Sequence, residues 1–247
     1  MSKLFVAFSV VFTLLTMGAK CESCAKVAFS TPSLEQFATS NISDFKASVV
    51  VDMANEQQLQ KINRDFAIIY RLKKLDIYYK DPDKLRMENK FALMIINGDS
   101  RYYQIPMFGI KRTDHIPSDM SQKHSLLDLG VLPASSLANI ESKFLTSETD
   151  NGSKIDIFDF NFKGDSNSNY KIWVNTSNNL IEKKEWYGVG NKLKATFLYK
   201  SPKEIKPGLW LPTCIEVLNA DGSIAAITSY ENIQVNGNLS NSLFVIS

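Results

Sequence analysis

From residue 155 to residue 244 the chain alternates apolar and polar side chains in short runs, each closed by an Asn, Gly or Asp cluster. Successive side chains of a strand point to opposite faces, so this period of two describes strands with one apolar face. Tyr170, Ile172 and Val174 oppose Trp173, and Leu211, Thr213, Ile215 and Val217 oppose Pro212, Cys214 and Glu216. Leu193, Ala195, Phe197 and Tyr199 oppose Lys192, Lys194 and Lys200, which marks the second face as wet. Ile155 and Ile157 alternate on one phase and Phe158, Phe160 and Phe162 on the other, the pattern of a β-bulge or of a strand with two buried faces. Turns at Asn178-Asn179, Pro207-Gly208 and Asp221-Gly222 fall at the spacing of a barrel or sandwich. The expectation is a mainly β protein whose curved antiparallel sheet encloses something apolar.

The earlier half carries the same period. Thr31 as cap and Pro32 at the first helical position predict a turn or two of helix with Leu34, Phe37 and Ala38 on one face. Phe45, Ala47, Val49 and Val51 share one side of a strand, and a second strand is expected from about Asp65 to Tyr79 after a polar linker that is a turn or a short helix. Pro82 places a turn before a third strand from Lys84, and Asn97-Gly98 between apolar runs predicts a hairpin. Between residues 117 and 145 the pattern breaks. Leu126, Leu127 and Leu129, closed by Gly130, predict one short amphipathic helix, and residues 134–144 a second, because Leu137, Ile140, Glu141 and Phe144 have helical spacing. This insertion reads as a plug filling an open sheet or as a lid that leaves a ligand cavity.

The N-terminus reads as a leader. Lys3 precedes an apolar run over residues 4–19, short of the ~20 residues that cross a bilayer as a helix, so residues 1–23 read as a secretory signal peptide cleaved between 19 and 25. An uncleaved anchor is the alternative. Residues 24–247 then form a single exported, periplasmic domain. Gly18 and Ala19 suit acylation of Cys21, whereas Lys20 does not. Cys21 and Cys24 have redox spacing but lie in the leader, and Cys214 stands apart, so disulfide scaffolding is not expected. A formal charge of +2 without a basic run argues against nucleic acid.

The residues carry no recognisable catalytic signature. His115 and His124 are the two histidines, nine positions apart, which suits neither one helical face nor a zinc site. No nucleophile elbow or phosphate loop occurs, and the carboxylate pairs Asp156/Asp159 and Glu182/Glu185 read as solvated strand faces. No enzyme, metal or cofactor is expected.

The order of signal peptide, short helix, strand, Tyr79-Lys-x-Pro82-x-x-Leu-Arg86 turn, Asn97-Gly98 hairpin, helical insertion, Lys206-Pro-Gly-Leu-Trp-Leu-Pro212 and closing Val235-Asn-x-x-Leu-Ser-x-Ser-Leu-Phe244 resembles the LolA/LolB superfamily of periplasmic outer-membrane lipoprotein-sorting proteins. The resemblance implies an unclosed antiparallel β-barrel of about eleven strands wrapped round a helical lid or plug, monomeric, with an apolar cavity for lipid or lipoprotein acyl chains. Met87, Ile95, Tyr103, Ile172, Phe197 and Ile215 are the inward wall candidates, and Leu126, Leu127, Leu129 and Leu132 the lid candidates. Where the better-known carriers have an arginine before the turn proline, resembling a latch hydrogen-bonded to the lid, this chain has Asp81; their following aromatics are Leu85 and Met87 here. The chain thus resembles a divergent sorting protein. The alternative is an envelope sensor or scaffold that uses the same fold to bind a protein, such as a membrane-protein partner.

Overall fold

The computed structural model describes residues 31–39, 41–106, 109–116 and 125–246. The leader with Cys21 and Cys24, and His124, lie outside the described residues. The described chain forms one antiparallel sheet of 13 strands, ordered β6-β5-β4-β3-β2-β1-β13-β12-β11-β10-β9-β8-β7. The strands are β1 (Asp44–Ala54), β2 (Lys74–Lys80), β3 (Lys84–Glu88), β4 (Leu93–Asn97), β5 (Ser100–Ile105), β6 (Ile110–His115), β7 (Ile140–Asp150), β8 (Ser153–Phe162), β9 (Asn169–Asn175), β10 (Leu180–Gly188), β11 (Lys192–Lys206), β12 (Leu209–Asn219) and β13 (Ile224–Val235). The chain starts at the middle of the sheet, meanders to one edge at β6, crosses to the other edge at β7, and returns until β13 pairs with β1. The edges do not pair with each other. Lys111, Arg112 and Thr113 on β6, and Glu141, Ser142 and Lys143 on β7, are exposed, the charged and polar edges that discourage pairing with another chain.

Four expectations are corrected. The stretch from Asp65 is not strand: helices α1 (Glu56–Ile62) and α2 (Arg64–Ile69) precede β2. Asn55 caps α1 by accepting from the Gln58 N–H at 3.2 Å, and Leu59, Ile62 and Ala67 are buried against the sheet. The segment after Pro133 is a single 3-10 stretch, Ala134–Asn139, followed by strand rather than helix. Ile140 and Phe144 are an even number of residues apart, so the four-residue spacing that suggested a helix also places them on one side of β7. The sheet has 13 strands where the resemblance implied about eleven, β6 and β7 being among those the alternation did not show. The hairpin at Asn97-Gly98 forms one residue later, because Asn97 pairs with Ser100 and Gly98-Asp99 makes the turn, Gly98 at φ 60°.

The C-terminal residues strap the outer face of β2–β5. The Asp44 carboxylate, on β1, accepts from the N–H groups of Gly237 (2.8 Å), Asn238 (3.0 Å) and Leu239 (3.3 Å). Lys80 donates to the Leu239 carbonyl at 2.8 Å and Arg86 to that of Leu243 at 3.0 Å. The 3-10 turn Asn241–Phe244 then drops Phe244, wholly buried, onto Ile95 and Tyr102. Removing a buried phenylalanine ring costs about 3–5 kcal/mol in a core and less where a chain end can move. Phe244→Ala is therefore expected to lose about 2–4 kcal/mol in urea unfolding and to make the last residues sensitive to protease; a loss below about 1 kcal/mol would mean that the strap adds no burial.

Candidate functional site

Cross-strand partners show which residues share the inner face. One row runs Phe158, Ile172, Lys184, Phe197, Val217, Ala226 through β8 to β13, and another runs Ala47, Ile77, Met87, Met94, Tyr103 through β1 to β5. Ile215 lies beside the first row, partnered with Tyr199 and Thr228. Ile172, Phe197 and Ile215 thus belong to one apolar cluster and Met87 to a second, while Tyr103 continues the row of Met87 beneath the Arg101 guanidinium at 4.9 Å. Ile95 is a correction. It pairs with Arg86 and Tyr102 and faces outward, under Phe244. The run of residues 91–96 is apolar on both phases because both faces are covered there, so alternation could not choose between them.

The insertion supplies the cover of the inner face. Ser125 caps the 3-10 turn Leu126–Leu129: its Oγ accepts from the Leu127 N–H at 3.2 Å, and the Asp128 carboxylate accepts from the Ser125 N–H at 3.4 Å. Leu126 packs in the cluster of β1–β4, Leu127 and Leu132 in that of β8–β13, and Leu129 against both. The segment 126–132 therefore sits as a wedge between the two halves of the sheet. Leu34 and Phe37 of the 3-10 turn Leu34–Phe37, and α1, complete the filling, with Phe37 edge-on to Phe158 at 5.8 Å. A cleft of about 130 Å³ opens beside the wedge, lined by Thr39, Val131, Asn179, Leu180, Gly208 and Trp210 among others. That is below the roughly 300–1,000 Å³ of ligand pockets. The inner face is occupied by the chain's own leucines.

The wedge is tethered at several points. The Ile181 N–H donates to the Gly130 carbonyl at 3.0 Å, and the Thr39 N–H to that of Leu132 at 2.8 Å. Gly130 has φ 77°, and a Cβ there would lie 2.7 Å from the Tyr199 ring, so glycine is required twice over. Ser135, just beyond, donates to the Asp81 carboxylate at 2.6 Å, and the Tyr79 hydroxyl donates to the same carboxylate at 2.8 Å. The position before the turn proline thus still ties wall to insertion, by an acceptor rather than a guanidinium. Arg86 takes no part, being on the outer face with Glu88 at 2.5 Å.

One residue of the row from Phe158 to Ala226 is not apolar. Lys184 is buried between Ile172 and Phe197, its ammonium 5.0 Å from the Phe197 ring centroid. It reaches Asp128 of the wedge at 3.2 Å and the Leu127 carbonyl at 3.5 Å, where the Tyr199 hydroxyl also donates at 3.4 Å. Burial acts to lower the lysine pKa, but the Tyr199 and Asp128 groups beside it act the other way and prevail, leaving it above the ordinary value and cationic. Burial raises the pKa values of Tyr70, Tyr170, Tyr199 and Tyr230, so these hydroxyls stay protonated. The sequence hid Lys184 because a bulge between Ile181 and Lys183 reverses the alternation and turns Lys183 out onto Trp173, at 3.9 Å. The capping pattern Ser125-x-x-Asp128 was the signal available for its partner.

Asp156, read as a solvated carboxylate, is also buried, on the same side of β8 as Phe158, with Lys154 at 2.9 Å. Glu185 is largely covered too, paired with Lys183 at 2.6 Å. Among the described residues, no group of three or more His, Cys, Asp or Glu side chains is arranged to hold a metal.

An open antiparallel sheet wrapped round a short helical wedge defines a class of half-barrels. The fold is that of the LolA superfamily. It matches a DUF1329 family protein from Desulfovibrio piger (TM-score 0.59, 14% identity, 86% of this chain and 92% of that one) and a LolA superfamily protein from Nitrosomonas europaea (0.58, 15%, 86% and 94%). It also matches a domain assigned to the outer membrane lipoprotein-sorting proteins, from Vibrio parahaemolyticus (0.57, 10%, 85% and 92%). No protein-family model and no curated protein sequence matches the chain.

The ion pair predicts an asymmetry. Replacing a buried lysine by an apolar side chain of similar volume removes a desolvation cost, whereas removing its carboxylate strands the charge. Lys184→Met is expected to stay within about 1 kcal/mol of the parent in denaturant unfolding, and Asp128→Asn to lose about 1–3 kcal/mol, the lower range applying because Asp128 is half in solvent. Equal losses would mean that the pair contributes net stability.

Proposed function

We propose that the protein is a periplasmic carrier, exported by the leader at residues 1–23, that holds acyl chains of lipids or lipoproteins against the inner face of the half-barrel and takes part in outer-membrane lipoprotein sorting. The observation that carries this reading is that the inner face is largely apolar across both halves of the sheet yet is covered by a short, independently tethered wedge rather than by long helices. Full burial of a leucine contributes about 1.5–3 kcal/mol, so Leu126, Leu127 and Leu132 together contribute roughly 5–9 kcal/mol. A 16-carbon chain offers about 12 kcal/mol at ~0.8 kcal/mol per methylene before ordering costs. An acyl chain can therefore replace what the wedge provides. The role is non-enzymatic, since binding of this kind needs no nucleophile or metal. The sorting role is also supported by the likeness in fold to the Vibrio parahaemolyticus domain, whose assignment is to lipoprotein sorting.

The filled interior favours a second reading, a cell-envelope sensor or scaffold that binds a protein partner on the same fold. Native mass spectrometry after lipid extraction, with uptake of a fluorescent fatty acid, separates the two. The carrier is expected to retain lipid and to take up the probe, and Ser135→Ala, which removes the bond to Asp81, to speed uptake several-fold. A protein that is reproducibly lipid-free, refuses the probe and co-purifies with one stoichiometric partner belongs to the second class.

A further inference from the structure

The net stability of the fold does not require a charge at Lys184. Its neighbours along the row are Ile172 and Phe197, and a methionine would fill the same space without a desolvation cost. Its anion comes from the wedge: Asp128 reaches in from the solvent side, with 46% of its side chain exposed, while the Lys184 side chain is 6% exposed. If residues 126–129 leave the inner face, the ammonium stays in the wall and loses both Asp128 and the Leu127 carbonyl. A cation left unpaired among apolar groups is costly enough to oppose that movement unless another anion takes the place of Asp128. A neutral acyl chain cannot supply one. The Tyr199 hydroxyl, released from the Leu127 carbonyl by the same movement, becomes a second donor at that point.

We propose that Lys184 is a head-group site, selecting acyl ligands that carry a single carboxylate or phosphate, and that Asp128 is an internal anion which such a ligand displaces. This rests on the carrier reading and narrows its ligand to anionic amphiphiles. The hydrocarbon lies along the Ile172, Phe197 and Ile215 wall vacated by the leucines, and the anion meets Lys184. Wedge movement and ligand charge are thereby coupled through one exchange of carboxylates.

The test uses protein expressed with its leader and purified after export, with dodecanoate, dodecyl phosphate, methyl dodecanoate, acetate and inorganic phosphate as probes in equilibrium dialysis. The parent protein is expected to bind the two dodecyl anions at least about tenfold more tightly than the ester, the scale of a charge-assisted hydrogen bond. Acetate and inorganic phosphate are expected to bind far more weakly. Lys184→Met, or Lys184→Gln should the first not fold by near-ultraviolet circular dichroism, is expected to bind all three dodecyl ligands about equally, losing affinity for the anions and gaining it for the ester, which no longer strands a cation. Asp128→Asn, which removes the pair that every ligand must break on displacing the wedge, is expected to tighten anions and ester alike, several-fold, and to leave the preference for the anions in place. Equal binding of ester and anions by the parent, or a preference that survives in the Lys184 variant, overturns the head-group site and leaves the carrier reading intact. Binding of acetate or phosphate as tight as that of the dodecyl anions overturns it in favour of a simple anion site. Failure of every dodecyl ligand to bind overturns the carrier reading and this proposal with it.

Discussion

A sheet that does not close must have its apolar inner face covered by something other than its own opposite wall, and the connections of this molecule are arranged around that requirement. The link between β1 and β2 crosses as α1 and α2, the N-terminal 3-10 turn contributes Leu34 and Phe37, and the insertion between β6 and β7 places Leu126, Leu127 and Leu132 between the two halves. Each of these covers is short. An isolated helix of one or two turns has little stability of its own, so its position depends on packing and on tethers such as the bonds from Ile181 and Thr39. The molecule therefore combines a long, continuously hydrogen-bonded wall with a filling made of small, separately attached pieces, and local opening falls to the pieces.

Lys184 and Asp128 belong to that division. The wall holds one charge and the wedge the other, so the contact is favourable only while both are in place. Buried ion pairs often contribute little to net stability, but they specify which arrangement of two surfaces is allowed. Here the pair specifies the seat of Leu126–Leu129, and the Gly130 contact with Tyr199 sets the same seat by shape.

The wall was legible in the sequence wherever one face is wet. Around Phe197 the lysines at 192, 194 and 200 mark the outer face, and the inward residues follow from alternation. Legibility failed where both faces are covered or where a bulge intervenes. Ile95 was assigned inward because the strap that hides its true face lies some 150 residues away in the chain, at Phe244. Lys184 was lost in Glu182-Lys-Lys-Glu185 because a single extra residue after Ile181 reverses every later side chain. Period four is also a multiple of period two, which is how Ile140 and Phe144 passed for helix. The wedge itself was readable from Leu126, Leu127, Leu129 and Gly130, since capping and a left-handed glycine are local signals that need no knowledge of the sheet.

The path of the chain has a mechanical consequence. The wedge runs through the 3-10 stretch Ala134–Asn139 straight into the free edge strand β7 at Ile140. Any event that moves this edge of the wall is thus transmitted along the backbone of residues 130–139 to the leucines that fill it.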